Sequence, residues 1–214
     1  MVSRYLNGGV MISFKRLAAF AALAIGFGSA HAGYSLVGLQ SGPLSNPGSF
    51  TATVDASVAD SAATLDFVVQ GYRSLDGHNT YEDVLTLIIN GGPAISGAFN
   101  LGGGGTSDTM FGNASAVTVN QYGVDPGTNI GWNGGTTTIA GLSFNLLAGI
   151  NTFTFSYSAP GVNNGNGQSL GDEGWGIKSA VVTAVPEPEI YALMLAGLGV
   201  VGAVARRRKT PMSV

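Results

Sequence analysis

The sequence predicts an all-β fold, a jelly-roll-like β-sandwich, with an apolar helix at each end of the chain. Three observations support this prediction. Hydrophobic residues in the middle of the chain recur with a period of 2, which is typical of strands. Short segments rich in glycine and asparagine separate these runs and are typical of turns. The two longest apolar runs lie near the two ends of the chain.

The first 32 residues have the features of a secretory signal peptide. Lys15 and Arg16 form a charged region, an uncharged apolar run follows, and Ala30-His31-Ala32 fits the small-x-small rule for cleavage. Ala30 and Ala32 are therefore the expected recognition residues, with cleavage after Ala32. The alternative is that this segment is a buried helix.

Met11 is a second candidate for the true start, because residues 1–10 contain nothing that a signal peptide requires.

The chain has no cysteine, which excludes disulfides, thiolate metal sites and a cysteine nucleophile. Export stays compatible with this composition, since a domain of about 150 residues buries enough surface to fold without disulfides.

Residues 33–184 are predicted to form the sandwich. In the first strand Phe50 and Val54 share one face, and in a later strand Phe153 and Tyr157 do so, with serine and threonine opposite. No segment of this stretch has the period of a soluble helix. The predicted strands, in chain order, are Ser49–Ala56, Thr64–Tyr72, Val84–Asn90, Ile95–Leu101, Ala116–Tyr122, Thr137–Leu147, Thr152–Tyr157 and Trp175–Ala184.

Residues 185–214 form a tail with three parts. A membrane-spanning helix needs about 20 apolar residues, so the apolar run here is short and would span a thin bilayer or cross it at a tilt. The basic cluster that follows would stay in the cytoplasm. The three parts are the Pro-Glu-Pro motif Pro186, Glu187 and Pro188, the apolar run Ile190–Ala205, and the basic cluster Arg206, Arg207 and Arg208.

This tail resembles the PEP-CTERM sorting signal of Gram-negative bacteria. The resemblance implies recognition and cleavage by an exosortase, a transpeptidase-like membrane enzyme. It also implies an intermediate anchored in the inner membrane, followed by release to the cell surface or extracellular matrix. Hosts of such proteins usually make exopolysaccharide, biofilm or floc. The alternative is an ordinary C-terminal membrane anchor.

The charge of the middle domain excludes nucleic acid as a partner. Residues 33–184 contain ten acidic residues and only two basic ones, Arg73 and Lys178, which gives a formal charge near −8. Nucleic-acid binding depends on neutralising phosphates with lysine and arginine. We therefore expect no binding to DNA or RNA.

Two acidic segments form a candidate Ca²⁺ site, since Ca²⁺ prefers six to eight oxygen ligands on flexible loops. The spacing is not that of an EF-hand, and one histidine without cysteine disfavours zinc. Alternatively, these acids cap strands and accept hydrogen bonds from backbone amides, with Trp175 in the core. The candidate ligands are Asp76, Asn79, Glu82, Asp83, Asp172 and Glu173.

The segment from Asp172 to Ile177 resembles the start of the last strand in extracellular lectin-like or galactose-binding-like sandwiches. That resemblance implies carbohydrate binding. Phe111, Tyr122 and Trp132 are candidates for stacking on a sugar, although aromatic residues of a sandwich are more often in the core.

We expect no catalytic residue. Glycoside hydrolysis needs two carboxyl groups across a cleft, and the domain's only glutamates are Glu82 and Glu173. The predicted role is a structural or adhesive surface or matrix protein in an exopolysaccharide or biofilm. The alternatives are a Ca²⁺-dependent carbohydrate-binding module and a secreted glycan-acting enzyme.

Overall fold

The computed structural model describes residues 32–40, 42–121, 131–160, 170–184 and 188–207. The predicted signal peptide with Ala30 lies outside the described residues, as do Pro186, Glu187 and Arg208 of the tail. The elements of the described part are β1 (Ala32–Ser35), β2 (Leu44–Ser45), β3 (Gly48–Ala56), β4 (Asp60–Arg73), β5 (Val84–Ile89), β6 (Ile95–Ala98), β7 (Ala116–Gln121), β8 (Gly135–Leu146), β9 (Gly149–Ser158), β10 (Glu173–Ala184) and α1 (Pro188–Arg207).

The strands form two antiparallel sheets. The first sheet has the order β1-β10-β4-β8-β7, with β2 also pairing with β10. The second sheet has the order β3-β9-β5-β6. The predicted all-β class is confirmed.

The pairing is nested along the chain, as in a jelly roll. β1 pairs with β10, β3 with β9, β4 with β8, and β5 with β6. A long antiparallel ribbon with this nesting rolls into two packed sheets, because β10 also pairs with β4 and β5 with β9. The predicted jelly-roll-like β-sandwich is confirmed.

The strands match the alternating sequence pattern, with differences at their ends. β4 begins at Asp60, four residues before the predicted start at Thr64. The sequence pattern missed these residues because register shifts near Ala63 and Phe67 interrupt the alternation. The strand β6 ends at Ala98, although Phe99 beyond it is still buried. The sequence did not predict β1 and β2, which have four and two residues and are too short for a periodic signal.

Aromatic rings join the two sheets. Trp175 of β10 is fully buried, with ring centroids 5.7 Å from Phe50 and 5.2 Å from Tyr157 in the other sheet. Phe155 stacks on Phe50 at 5.5 Å and meets the edge of Phe67 at 5.3 Å. The core position predicted for Trp175 is confirmed.

The helix α1 covers the apolar run of the tail and begins at Pro188. Proline suits the first helical position, since the N–H it lacks would have no helical partner there. We predicted a short spanning helix here. Within the described residues, the structure contains no helix that is both long enough and apolar enough to cross a membrane.

The substitution Phe155→Ala should lower the free energy of unfolding by about 3–5 kcal/mol, because it leaves a cavity between two fully packed sheets. Ser156→Ala, the adjacent and partly exposed position on the same strand, should change it by less than about 0.5 kcal/mol. Urea denaturation followed by tryptophan fluorescence measures both. Equal effects of the two substitutions would contradict the inter-sheet position of Phe155.

Candidate functional site

The two acidic segments of the sequence meet at one end of the sandwich. Asp76 and Asp83 lie in the connection between β4 and β5, and Glu173 is the first residue of β10. Each of these residues offers a carboxylate oxygen, and these oxygens lie within 4.8 Å of one another. We call these three residues the carboxylate cluster.

Strand geometry explains why Glu173 is buried. Side chains alternate along a strand, so Glu173 shares the inward face of β10 with Trp175. Its relative exposure is 4%, and that of Asp83, directly before β5, is 0%. A bridge between Ser74 and Glu173 holds the start of the β4–β5 connection against β10.

Hydrogen bonds fix Asp83 within the carboxylate cluster. Its Oδ2 accepts from the backbone N–H of Asp76 at 2.7 Å, and its own N–H donates to the carbonyl of Asp76 at 3.1 Å. The buried side-chain amide of Asn46 donates to Oδ1 of Asp83 and, at 3.3 Å, to Oε2 of Glu173. Sequence reasoning missed Asn46, because it lies far from both acidic segments and carries no motif.

A glycine-rich loop packs against the same connection. A Cβ added at Gly103 would lie 2.8 Å from Oδ1 of Asp76, and one at Gly77 would lie 2.1 Å from the carbonyl oxygen of Thr106. Neither position therefore has room for a side chain. The glycine run after β6 thus allows the close approach that holds Asp76 in place.

Burial raises the pKa of both inward carboxyl groups. The pKa of Glu173 rises to about 9, chiefly through loss of water and then through the charge of Asp83. The pKa of Asp83 rises to about 7 for the same first reason. Tyr157 is also buried, and its hydroxyl has no hydrogen-bond partner among the described residues. Two such carboxyl groups resist holding two negative charges, so a shared proton or a bound cation would stabilise them.

The other predicted ligands are divided between this cluster and the surface. The Asn79 side chain donates to Oδ1 of Asp76 at 2.7 Å and accepts from the N–H of Tyr81 at 2.6 Å. Asp172 is exposed, and its backbone carbonyl accepts a hydrogen bond from Ser74. The structure therefore brings together three of the six predicted ligands, with Asn79 beside them.

Glu82 belongs to a second group around His78. The His78 ring contacts Glu82 through Nδ1 and Asp108 through Nε2, the latter at 2.9 Å. These hydrogen bonds, that to Asp108 first, raise the pKa of His78. Asp108 also accepts from the N–H of Ala98 at 2.9 Å, so the group ties two loops to β6.

Only one of the three aromatic candidates for sugar stacking is available on the described surface. Phe111 is fully buried against Phe67 and Phe99, so the stacking interpretation of Phe111 is wrong. Tyr122 lies outside the described residues. Trp132 is 36% exposed on the outer face of the first sheet.

Comparison with known proteins identifies the tail. Residues 184–209 match the PEP-CTERM protein-sorting motif, so the chain carries this motif at its C-terminal end and is an exported protein. The motif implies processing by an exosortase.

The sandwich has a remote structural neighbour. A solved structure, a CBM35 from Cellvibrio japonicus Abf62, is similar over 73% of this chain and 99% of its own length, at 14% identity and a TM-score of 0.33. No curated protein matches the chain at a significant level.

Without a bound cation, stability should fall as the pH rises. Below about pH 4 the folded and unfolded states both hold the two protons. Above it the unfolded chain releases them, while the folded chain keeps the proton of Asp83 until about pH 7 and that of Glu173 until about pH 9. The free energy of unfolding in chelator should therefore be lower at about pH 8 than at about pH 5.

Glu173→Gln tests the origin of this dependence, since the amide is neutral and its oxygen still accepts a hydrogen bond from Asn46. This variant should reduce the difference between the two pH values. Asp55→Asn, which changes an exposed carboxylate on β3, should leave it unchanged. An increase in wild-type stability from about pH 5 to about pH 8 would contradict the raised pKa values.

Proposed function

We propose that this chain is an exported, non-enzymatic surface or extracellular-matrix protein, with a structural or adhesive role in an exopolysaccharide or biofilm matrix. The sorting motif at residues 184–209 carries the proposal. It begins at Ala184, the last residue of β10, so the sandwich directly precedes the signal. An exosortase is the proposed processing partner, and the sandwich is the part that remains outside the cell.

The environment of the two glutamates supports a non-enzymatic role. Glu173 is buried and hydrogen-bonded to Asn46, while Glu82 lies at the surface against His78. Hydrolysis of a glycoside requires both carboxyl groups to reach the same sugar from an open cleft. A buried Glu173 has no access to such a substrate.

A sorting experiment tests the proposed function. The full chain is expressed in a Gram-negative host with an exosortase and in the same host without it. Wild-type protein should lose its tail and reach the surface only in the first host. A triple variant with Pro186→Ala, Glu187→Ala and Pro188→Ala should keep its tail and stay in the membrane fraction.

Pro93→Ala is the matched control, since Pro93 is an exposed proline in the turn after β5. It should be processed like the wild type. Cell fractionation and intact-mass spectrometry measure both outcomes. Equal processing of the wild type and the triple variant, or processing without the exosortase, would contradict the proposal.

The carboxylate cluster favours a second candidate function, a Ca²⁺-dependent carbohydrate-binding module. Asp76, Asp83 and Glu173 present oxygen ligands within 4.8 Å of one another, and Ca²⁺ prefers such ligands. A cation there would offset the repulsion between two buried carboxylates and would join the β4–β5 connection to β10.

Calcium should raise the stability of the purified protein. A site that exists only in the folded state adds about 2.7 kcal/mol when Ca²⁺ is present at about a hundredfold excess over its dissociation constant. Melting temperatures are compared in CaCl₂, MgCl₂ and EDTA. The increase in CaCl₂ should be lost in Glu173→Gln and kept in Asp55→Asn. Identical wild-type melting in CaCl₂ and EDTA would rule out this candidate.

A further inference from the structure

A surface pocket lies on the outer face of the first sheet, away from the inward face that carries Glu173 and Trp175. Because successive positions of a strand alternate between its two faces, Gly176 of β10 lies on the outer face, whereas Trp175 lies on the inner face. Its register partner on β4 is Gln70. A glycine at this position leaves a gap in the outer layer of side chains.

Trp132 occupies one side of this gap. A Cβ added at Gly176 would lie 2.7 Å from the Cη2 atom of the Trp132 ring, so the indole rests directly on the glycine backbone. The ring also meets Tyr72 edge-on, with centroids 5.4 Å apart at 81°. Gln70 donates a hydrogen bond to the Trp132 carbonyl at 3.4 Å. These contacts hold the indole in one position as a wall.

The pocket beside this wall has a volume of about 230 Å³. That is smaller than the roughly 300–1,000 Å³ of pockets for drug-sized ligands, so it suits a single ring. Its lining combines one aromatic ring, two primary amides and one ammonium group, and includes no carboxylate. The lining residues are Gln40, Gln70, Trp132, Gly176, Ile177 and Lys178.

We propose that this pocket binds one pyranose ring of a neutral polysaccharide. The apolar C–H face of the sugar packs on Trp132. The hydroxyl groups, which both donate and accept hydrogen bonds, match the amides of Gln40 and Gln70, which do the same, and Lys178 adds a donor. The inference rests on the matrix role proposed above and names a neutral polysaccharide as its ligand. It differs from the Ca²⁺-dependent candidate, because it places sugar contact at this pocket instead of at the carboxylate cluster.

The charges favour a neutral sugar over a phosphate or another strong anion. Lys178 is the one cation of the pocket, whereas residues 33–184 carry a formal charge near −8. The negative charge of the domain would repel an anionic ligand, whereas a sugar hydroxyl group is neutral and is not repelled. Since none of the lining residues is a carboxylate, sugar contact here needs no bridging cation.

Tryptophan fluorescence gives a site-specific measurement, because the chain has two tryptophans and Trp175 is fully buried. The probes are dextran, galactan, mannan and xylan, with polygalacturonate as an acidic comparison. A neutral polysaccharide should protect Trp132 from quenching by acrylamide. Affinity electrophoresis of the same pairs gives the dissociation constants.

Trp132→Ala should weaken binding to the neutral polysaccharide by about tenfold or more, the effect expected from loss of an aromatic contact. Gly176→Ala should do the same by displacing the indole, and Gln70→Ala should weaken binding without removing the aromatic wall. Tyr81→Ala, which removes an exposed aromatic outside the pocket, should bind like the wild type. Melting curves establish that each variant is folded.

Several results would overturn the inference. These are no binding to any neutral probe, unchanged affinity in folded Trp132→Ala and Gln70→Ala, or binding to polygalacturonate alone with loss in Lys178→Gln. Binding that disappears in EDTA while the protein stays folded would place the sugar at a cation instead. Normal surface sorting together with any of these results would leave the export proposal intact and reject only the pocket.

Discussion

The packing of Trp175 between Phe50 and Tyr157 is the contact on which the rest of the structure depends. It joins the two sheets and fixes which residues of β10 point inward. Glu173, two residues earlier, then enters the interior, and Gly176, one residue later, faces outward. A shift of one residue between Glu173 and Ile177 would exchange the two faces, because side chains alternate along this part of the strand. The carboxylate cluster and the outer pocket therefore have a common cause.

Burial of the carboxylate cluster costs free energy at this end of the sandwich. Removing a carboxylate from water is costly unless it is paired or hydrogen-bonded. Hydrogen bonds from Asn46 and from the backbone of Asp76 offset part of this cost. They do not offset all of it, since burial still raises the pKa of Asp83 and Glu173. A shared proton or a bound cation would fill the same role, and either one would link the segment before β3, the β4–β5 connection and β10.

The nested pairing of the jelly roll also determines where the sandwich begins and ends. Ala32 of β1 pairs with Ala184 of β10, so both ends of the sandwich lie at the same edge of one sheet. The predicted signal cleavage at Ala32 and the sorting motif from residue 184 therefore adjoin this one edge. The outer pocket lies farther along the same strand, beside Gly176.

The sequence by itself determined the strand pattern, the tail motif and the class of the fold, because each depends on residues that are close together in the chain. The alternation around Phe50 and Phe155 and the Pro-Glu-Pro motif are signals of this kind. Tertiary structure alone decided that Asn46 meets Asp83 and Glu173, which lie 37 and 127 positions away. It also decided that Trp132 covers Gly176, and that Asp108 meets His78, which lies 30 positions away. These contacts arise from strand pairing over long separations, and no local period or spacing records which distant residues the pairing brings together.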